Sequence, residues 1–309
     1  MRTHPIPLSR ALAAILFAWT GLASAGPCIQ PLKVGLADRG VASYRTPSGY
    51  GGISVEILQE LSRRAGCGLE FTWLPSARLM LELRLGKIDI AATMLRAEER
   101  DTYAQFLPYG YTQNYLVSTR FSGRQYTSLE SFWAQSASRL NVVRGLMFSP
   151  GIEAKLMPAR QQGRVEEVKD FETLFRKMAA GRAEAAVMSP WVYQWYARRS
   201  GLAAQLNVVA IPEYPQPRLG MYLSRASIAP DVASTLAATL QKMLSDGTVL
   251  AIFSRYMDEA EVKQLFASGT AALASDGQRD RRQFADSTSP SQIRGRCKGQ
   301  NQRTKECTE

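Results

Sequence analysis

The sequence predicts an α/β fold made of two similar lobes, and three observations carry that expectation. Strand-like and helix-like segments alternate from Leu32 onward, a pattern that gives parallel strands with helical crossovers. The alternation starts afresh at Leu140. The segment LGKIDIAATM (85–94) is echoed by AGRAEAAVMS (180–189): a helix end, a glycine, a basic residue, an acid, then a small apolar strand.

The elements follow in order. LKVGLA (32–37) reads as a strand. ISVEILQELSRRAG (53–66) puts Ile53, Ile57, Leu58, Leu61 and Ala65 on one helical face and stops at Gly66. LEFTWL (69–74) is a second strand. SARLMLELRLG (76–86) is a second helix, opened by Pro75-Ser76 and stopped by Gly86; IDIAA (88–92) is a third strand. The second run has LNVV (140–143), a helix over 150–157, a strand at 165–168, the helix FETLFRKMAAG (171–181) and the strand AEAAVM (183–188). YLVSTR (115–120) crosses into the second lobe and LGMYLSR (219–225) returns. Two helices close the pattern, the first with Val232, Leu236, Leu240, Met243 and Leu244 on one face, the second after Gly247. The expected boundaries are 26–117 and 220–268 for lobe one, 118–219 for lobe two, and a disordered basic tail over 269–309. Ligands of open α/β sheets sit beyond the carboxyl ends of the strands. Thr93-Met94 and Met188-Ser189 leave the two matched strands, so they are expected to line a shared cleft.

Residues 1–25 read as a secretory signal. Arg2 and Arg10 precede an apolar stretch too short to span a bilayer, and Ala23-Ser24-Ala25 forms a cleavage pattern. Pro27 directly before Cys28 argues against a lipid anchor. Export to the periplasm follows. Loss of Arg2 and Arg10 takes the formal charge from +11 to +9, which suits an anionic ligand or surface; no basic helix or aromatic-basic sheet motif points to nucleic acid. The only histidine, His4, lies in the signal. The exported chain therefore excludes Ser-His-Asp and Cys-His catalysis and histidine metal ligands. Cys28, Cys67, Cys297 and Cys307 lack zinc-site spacing. Cys28 and Cys67 each precede a strand of one parallel pair, so they are expected to form a disulfide in an oxidising compartment; Cys297 and Cys307 would close a small loop in the tail. No metal and no cofactor are expected.

Three segments carry a family resemblance: GGISVEILQELSRRAGCGLEF; LRLGKIDIAATMLRAEERDTYAQFLPY; and LGMYLSRASIAPDVASTLAATLQKMLSDGTVLAIFSRYM. In that order they resemble the bacterial extracellular solute-binding proteins of family three, the periplasmic receptors of amino-acid-type ABC transporters. The resemblance implies two lobes joined by two hinge strands, of the periplasmic-binding-protein type II, closing like a flytrap on a small solute. It implies a monomer that hands the solute to an inner-membrane ABC transporter permease. It also implies that Arg100 holds a carboxylate, which the planar, paired donors of a guanidinium fit. The residues alone favour a surface arginine paired with Glu98 or Glu99; the resemblance turns the expectation to the ligand. Tyr44 matches the aromatic that stacks on the ligand. Arg78, Thr93, Tyr109, Met147, Ser189 and Trp191 complete the candidate ligand set, with Trp191 also readable as core and Arg78 as an exposed helix arginine.

Three departures bear on the solute. Leu95 stands where the family has Ser or Thr, Leu146 and Met147 stand where a hydroxyl would help hold a carboxylate, and Ser189 stands where an acid would pair with an α-ammonium. A small anionic or zwitterionic solute is expected, and the departures favour an anion without the ammonium. The same fold also hosts cyclohexadienyl-dehydratase-like enzymes and accessory sensory binding proteins. An enzyme needs a Glu, Asp, Lys or Tyr as proton carrier. Glu56 and Glu153 are conceivable, but their spacing does not mark them, so no catalytic residue is expected.

Overall fold

The computed structural model describes residues 28–213 and 215–274. The expected signal, the Cys297–Cys307 pairing and most of the expected tail lie outside these residues. In chain order the elements are β1 (Leu32–Leu36), β2 (Tyr44–Thr46), β3 (Gly49–Gly51), α1 (Ile53–Ala65), β4 (Leu69–Trp73), α2 (Ser76–Arg84), β5 (Ile90–Leu95), α3 (Glu98–Asp101), β6 (Ala104–Tyr111), β7 (Asn114–Thr119), α4 (Leu129–Gln135), β8 (Leu140–Val143), α5 (Pro150–Gln161), β9 (Val165–Val168), α6 (Phe171–Ala179), β10 (Ala185–Met188), α7 (Pro190–Ser200), β11 (Leu206–Ile211), β12 (Arg218–Ser224), α8 (Pro230–Ser245), α9 (Thr248–Ser254) and α10 (Glu259–Leu265).

Two five-stranded sheets form, ordered β4-β1-β5-β12-β6 and β9-β8-β10-β7-β11. In each, three parallel strands are followed by an antiparallel one and then by a strand antiparallel to that. The two lobes therefore repeat one topology, with β5 and β10 in matching places. The strand that breaks the parallel run comes from a crossing in both cases. Chain passes between lobes at Thr112-Gln113 and again between the end of β11 and the start of β12, and the two crossings touch where the Thr112 N–H donates to the Pro217 carbonyl at 2.9 Å.

Both crossings differ from the expected boundaries by a few residues. Tyr115, Leu116 and Val117 belong to the second sheet, because β7 pairs with β10 and β11 along its length. Arg218 and Leu219 belong to the first, where they pair with β6. The chain also stays packed past 268: Leu273 is buried and its N–H reaches the Thr270 carbonyl, so the start of the expected tail is part of lobe one.

Each sheet buries its own apolar residues on one side, Leu79, Leu83, Phe106 and Tyr222 in lobe one and Phe132, Leu140, Ile152 and Val187 in lobe two. A third cluster runs through both lobes and includes Phe171, Trp191, Val192 and Leu219. Helix α1 packs on α8 and α9 behind the first sheet. The Cys28–Cys67 disulfide joins the starts of the neighbouring strands β1 and β4, with Cα atoms 5.1 Å apart. No helix among the described residues is long and apolar enough to cross a membrane.

Candidate functional site

The carboxyl ends of β5 and β10 face one another across the gap between the lobes. The gap is pinched at its centre, where a cavity of about 50 Å³ is lined by Arg39, Thr93 and Leu219 from lobe one and by Leu146, Ser189 and Trp191 from lobe two, among others. It widens to about 800 Å³ on the hinge side, beside Arg96, Ser149 and Glu213. At the opposite mouth it widens to about 890 Å³, between Tyr44, Trp73 and Ser76 of lobe one and Phe171, Trp195 and Tyr196 of lobe two. Small-molecule pockets usually measure about 300–1,000 Å³. The centre therefore takes a solute only when the lobes part or side chains move.

Arg100 sits on the short helix α3 and is only 3% exposed. Its partners are weak for a buried guanidinium. One terminal nitrogen lies against the thioether of Met147, which reaches over from lobe two. The other makes a long 3.4 Å contact to the Leu95 carbonyl. The nearest carboxylate, Glu99, is 4.0 Å away and itself exposed. The Tyr222 ring lies beneath, 5.7 Å from the guanidinium carbon. Arg100 thus points inward, and Met147 and Leu95 separate it from the central cavity they line.

Thr93, within β5, lies in the left-handed region, φ 57°, alone among the described non-glycine residues. A β-branched residue there is strained. Three groups hold it: its N–H donates to the Tyr109 hydroxyl at 3.2 Å, its own hydroxyl bonds Ser54 at 2.7 Å, and Ser54 bonds Tyr109 at 2.8 Å. Tyr109 is therefore a buried support behind the site, not a wall of it. Burial raises its pKa, so it stays a protonated donor.

The remaining candidates separate. Ser189 caps the start of α7 with its hydroxyl free of any capping bond, and it lines the centre. Trp191 is both core and cavity wall. Met147 covers Arg100 and keeps 38% of its surface exposed. Tyr44 sits at the mouth, stacked on Trp195 of the other lobe with centroids 4.6 Å apart. Arg78 is placed away from the cleft. Its side chain is 64% exposed and pairs with Glu82 one turn on, at 3.3 Å, because i and i+4 are neighbours on a helix surface. Glu56 and Glu153 are also remote, Glu56 bonded to Arg255 and Tyr256 and Glu153 paired with Arg160 at 3.6 Å.

The sequence reading missed Arg39. It lies three residues beyond the carboxyl end of β1, the region where ligands collect, and that was the available signal. The side chain is 6% exposed and lines the centre. It donates to the Asp38 carbonyl and to Ser76, both at 2.7 Å. Burial lowers its pKa to about 10, against the pull of Asp38 and with the push of Arg100.

Two glycines let the lobes meet around this centre. A Cβ on Gly40, φ 58°, would lie 2.3 Å from the Trp191 carbonyl oxygen, and one on Gly145, φ 73°, would lie 2.6 Å from the Ala77 nitrogen. Tyr196 adds a bond across the mouth, its hydroxyl donating to Asp38.

A profile of the bacterial extracellular solute-binding proteins, family 3, matches residues 32–259. The chain belongs to that family. Among curated relatives, the probable amino-acid-binding protein YxeM of Bacillus subtilis (strain 168) is 22% identical over 266 residues, covering 84% of this chain and 96% of YxeM. Among solved structures, an ancestral arginine-binding protein bound to arginine superposes with a TM-score of 0.62 at 21% identity, over 74% of this chain and 98% of that one. A putative L-cystine ABC transporter protein from Listeria monocytogenes gives 0.61 at 18% identity, over 75% and 98%. At these identities the structures establish the shared two-lobed fold, that of periplasmic binding proteins. The family establishes solute binding outside the cytoplasm.

Proposed function

We propose that this protein is exported to the periplasm through a cleaved signal and captures a small carboxylate-bearing solute, an amino acid or a related organic anion, between its lobes. It then hands the solute to an ABC transporter in the membrane. The observation that carries the reading is Arg100: a buried guanidinium beside the cleft that, among the described residues, is met by a thioether, a long carbonyl contact, an aromatic ring and a distant carboxylate. Such a group is costly unless a charged partner completes it, and a carboxylate does so with paired, charge-assisted bonds. The family and the amino-acid-binding relative support capture of a small solute. Binding rather than catalysis is supported by the central lining, whose one charged side chain among the described residues is Arg39, which does not exchange protons near neutral pH.

Solute uptake begins with separation of the lobes. Met147 and Leu146 then leave Arg100 and Thr93. The solute's carboxylate meets Arg100, and closure brings Ser189 and Trp191 onto its other side.

A thermal-shift screen of organic anions and amino acids tests this. A binder present at about 100 times its dissociation constant stabilises by about 2.7 kcal/mol. Arg100→Ala removes two or more charge-assisted bonds worth roughly 1.5–3 kcal/mol each, so it should abolish the shift while its own melting transition persists. Wild-type affinity in that variant refutes the site.

A further inference from the structure

The cleft is more positive than one carboxylate-holding arginine requires. Arg39 and Arg100 are both more than nine-tenths buried, and Arg100 adds to the cost of keeping Arg39 charged. Among the described residues, no Asp or Glu lines the central cavity. The acids around it are accounted for: on the hinge side Glu213 accepts from the Asn114 amide at 3.1 Å and from the Ser149 hydroxyl, and the others sit at the mouth. Asp38 accepts the Tyr196 hydroxyl on one oxygen and the Gly40 N–H, at 3.2 Å, on the other. Asp170 caps α6 by accepting from the Thr173 N–H at 2.7 Å and faces Lys169 at 3.5 Å. Glu172 is exposed. Ser189, neutral, stands at the start of α7 where the partial positive charge of the helix end also faces the cleft. Much of the rest of the lining is apolar: Met94, Leu146, Phe148, Phe171, Trp191 and Leu219.

We infer that the solute is an organic carboxylate without an ammonium group, and that Arg39 is the second cation selecting it. The inference rests on the proposed capture of a carboxylate. An ammonium brought into this centre meets two guanidiniums and a helix N-terminus, with no free carboxylate to balance it. A carboxylate with a neutral oxygen in place of the amine meets only donors. A 2-oxo or 2-hydroxy acid, or a second carboxylate, gives both guanidiniums an acceptor, and the apolar walls receive the rest of the molecule. Arg39 is already tied to Ser76 and the Asp38 carbonyl through one nitrogen, which fixes its direction and leaves its other donors for the solute.

Calorimetric titration with matched pairs tests this: 4-methyl-2-oxopentanoate against leucine, phenylpyruvate against phenylalanine, and 2-oxoglutarate against glutamate. The amine-free member of at least one pair should bind ten times or more tighter than its amino acid. Arg39→Gln should weaken that binding at least tenfold, and Arg39→Lys should restore part of it, with melting curves showing that both variants fold. Amino acids binding as well as their partners overturn the inference and leave carboxylate capture standing. Tight amine-free binding that Arg39→Gln does not change removes Arg39 from the site. If no pair member binds at millimolar concentration, both this inference and the capture reading fall.

Discussion

Gly40→Ala should hold the lobes apart. In the closed arrangement the added Cβ would lie 2.3 Å from the Trp191 carbonyl oxygen and 2.9 Å from the Val192 Cα. Both are backbone atoms at the start of α7 and cannot swing aside as a side chain would. Gly40 has φ 58°, so alanine there also carries roughly 1–2 kcal/mol of backbone strain. That strain is present whether the lobes are open or closed and cancels from the closure equilibrium. The clash exists only when they are closed. Inserted methyl groups in tight packing cost about 1–3 kcal/mol, and about 1.4 kcal/mol is tenfold. Closure, and with it solute affinity, should therefore fall by roughly fivefold to a hundredfold. Because Gly40 adjoins Arg39, a second variant is needed. Gly145→Ala places its Cβ 2.6 Å from the Ala77 nitrogen on the other side of the cleft. Small-angle scattering should show a larger radius of gyration for both variants, and calorimetry should show weaker binding for both. Two variants that scatter and bind as the unaltered protein does would refute the claim that these contacts define closure.

Reduction of Cys28–Cys67, which spans 39 residues, should lower stability by about 4 kcal/mol on the chain-entropy account; melting with and without a reductant, against the double serine variant, measures it. Glu184 supplies a pH dependence to lobe two. Burial alone would raise its pKa, but hydrogen bonds from Ser138, Tyr126, Ser136 and Ser122 win and hold it below the ordinary carboxylate value. A depressed acid contributes stability that is present above its unfolded pKa and lost as pH falls through the folded value. Melting temperature should therefore drop on acidification below about pH 4, and Glu184→Gln should flatten part of that drop.

Much of the fold was legible because its signals are local. The strands β5, β8 and β10 are short apolar runs next to helices with clear faces, β1, β4 and β9 are short segments flanked by helices, and the matched third strands announced the repeat. Helix α7 went unread although Ser189, Pro190 and Gly201 are ordinary start and stop residues; its aromatics, Trp191, Tyr193, Trp195 and Tyr196, hide the helical period by facing both core and mouth. Strand β6 is buried throughout, but Pro108 and Gly110 argue against a strand. It tolerates them because it lies at the sheet edge, where its register against β12 shifts. The inward direction of Arg100 could not come from spacing, since Glu98, Glu99 and Asp101 offer pairs at every angle. It follows from tertiary position, with Tyr222 beneath and Met147 above. Arg78 illustrates the reverse: a plausible cleft position by sequence, resolved by an exposed side chain that pairs with the i,i+4 acid Glu82.

Closure and solute charge are physically linked in this protein. Contacts that draw the lobes together do not depend on a solute: Gly40 on α7, Gly145 on α2, Tyr44 on Trp195, and the Tyr196 hydroxyl on the Asp38 carboxylate. Against them stands the burial of Arg39 and Arg100: Arg100 adds to the cost of keeping Arg39 charged, Asp38 offsets part of it, and the carboxylate by Arg100, Glu99, is 4.0 Å away. Burying a charge is expensive in a medium of low polarity, so this opposition grows as water is squeezed from the gap. An anion between the guanidiniums reverses the sign of that term and leaves the glycine and aromatic contacts unchanged. A ligand shifts a conformational equilibrium only by its differential affinity for the two states. On the proposed capture of a carboxylate, relief of like-charge burial adds to that difference, so a negative charge on the solute should favour the closed state.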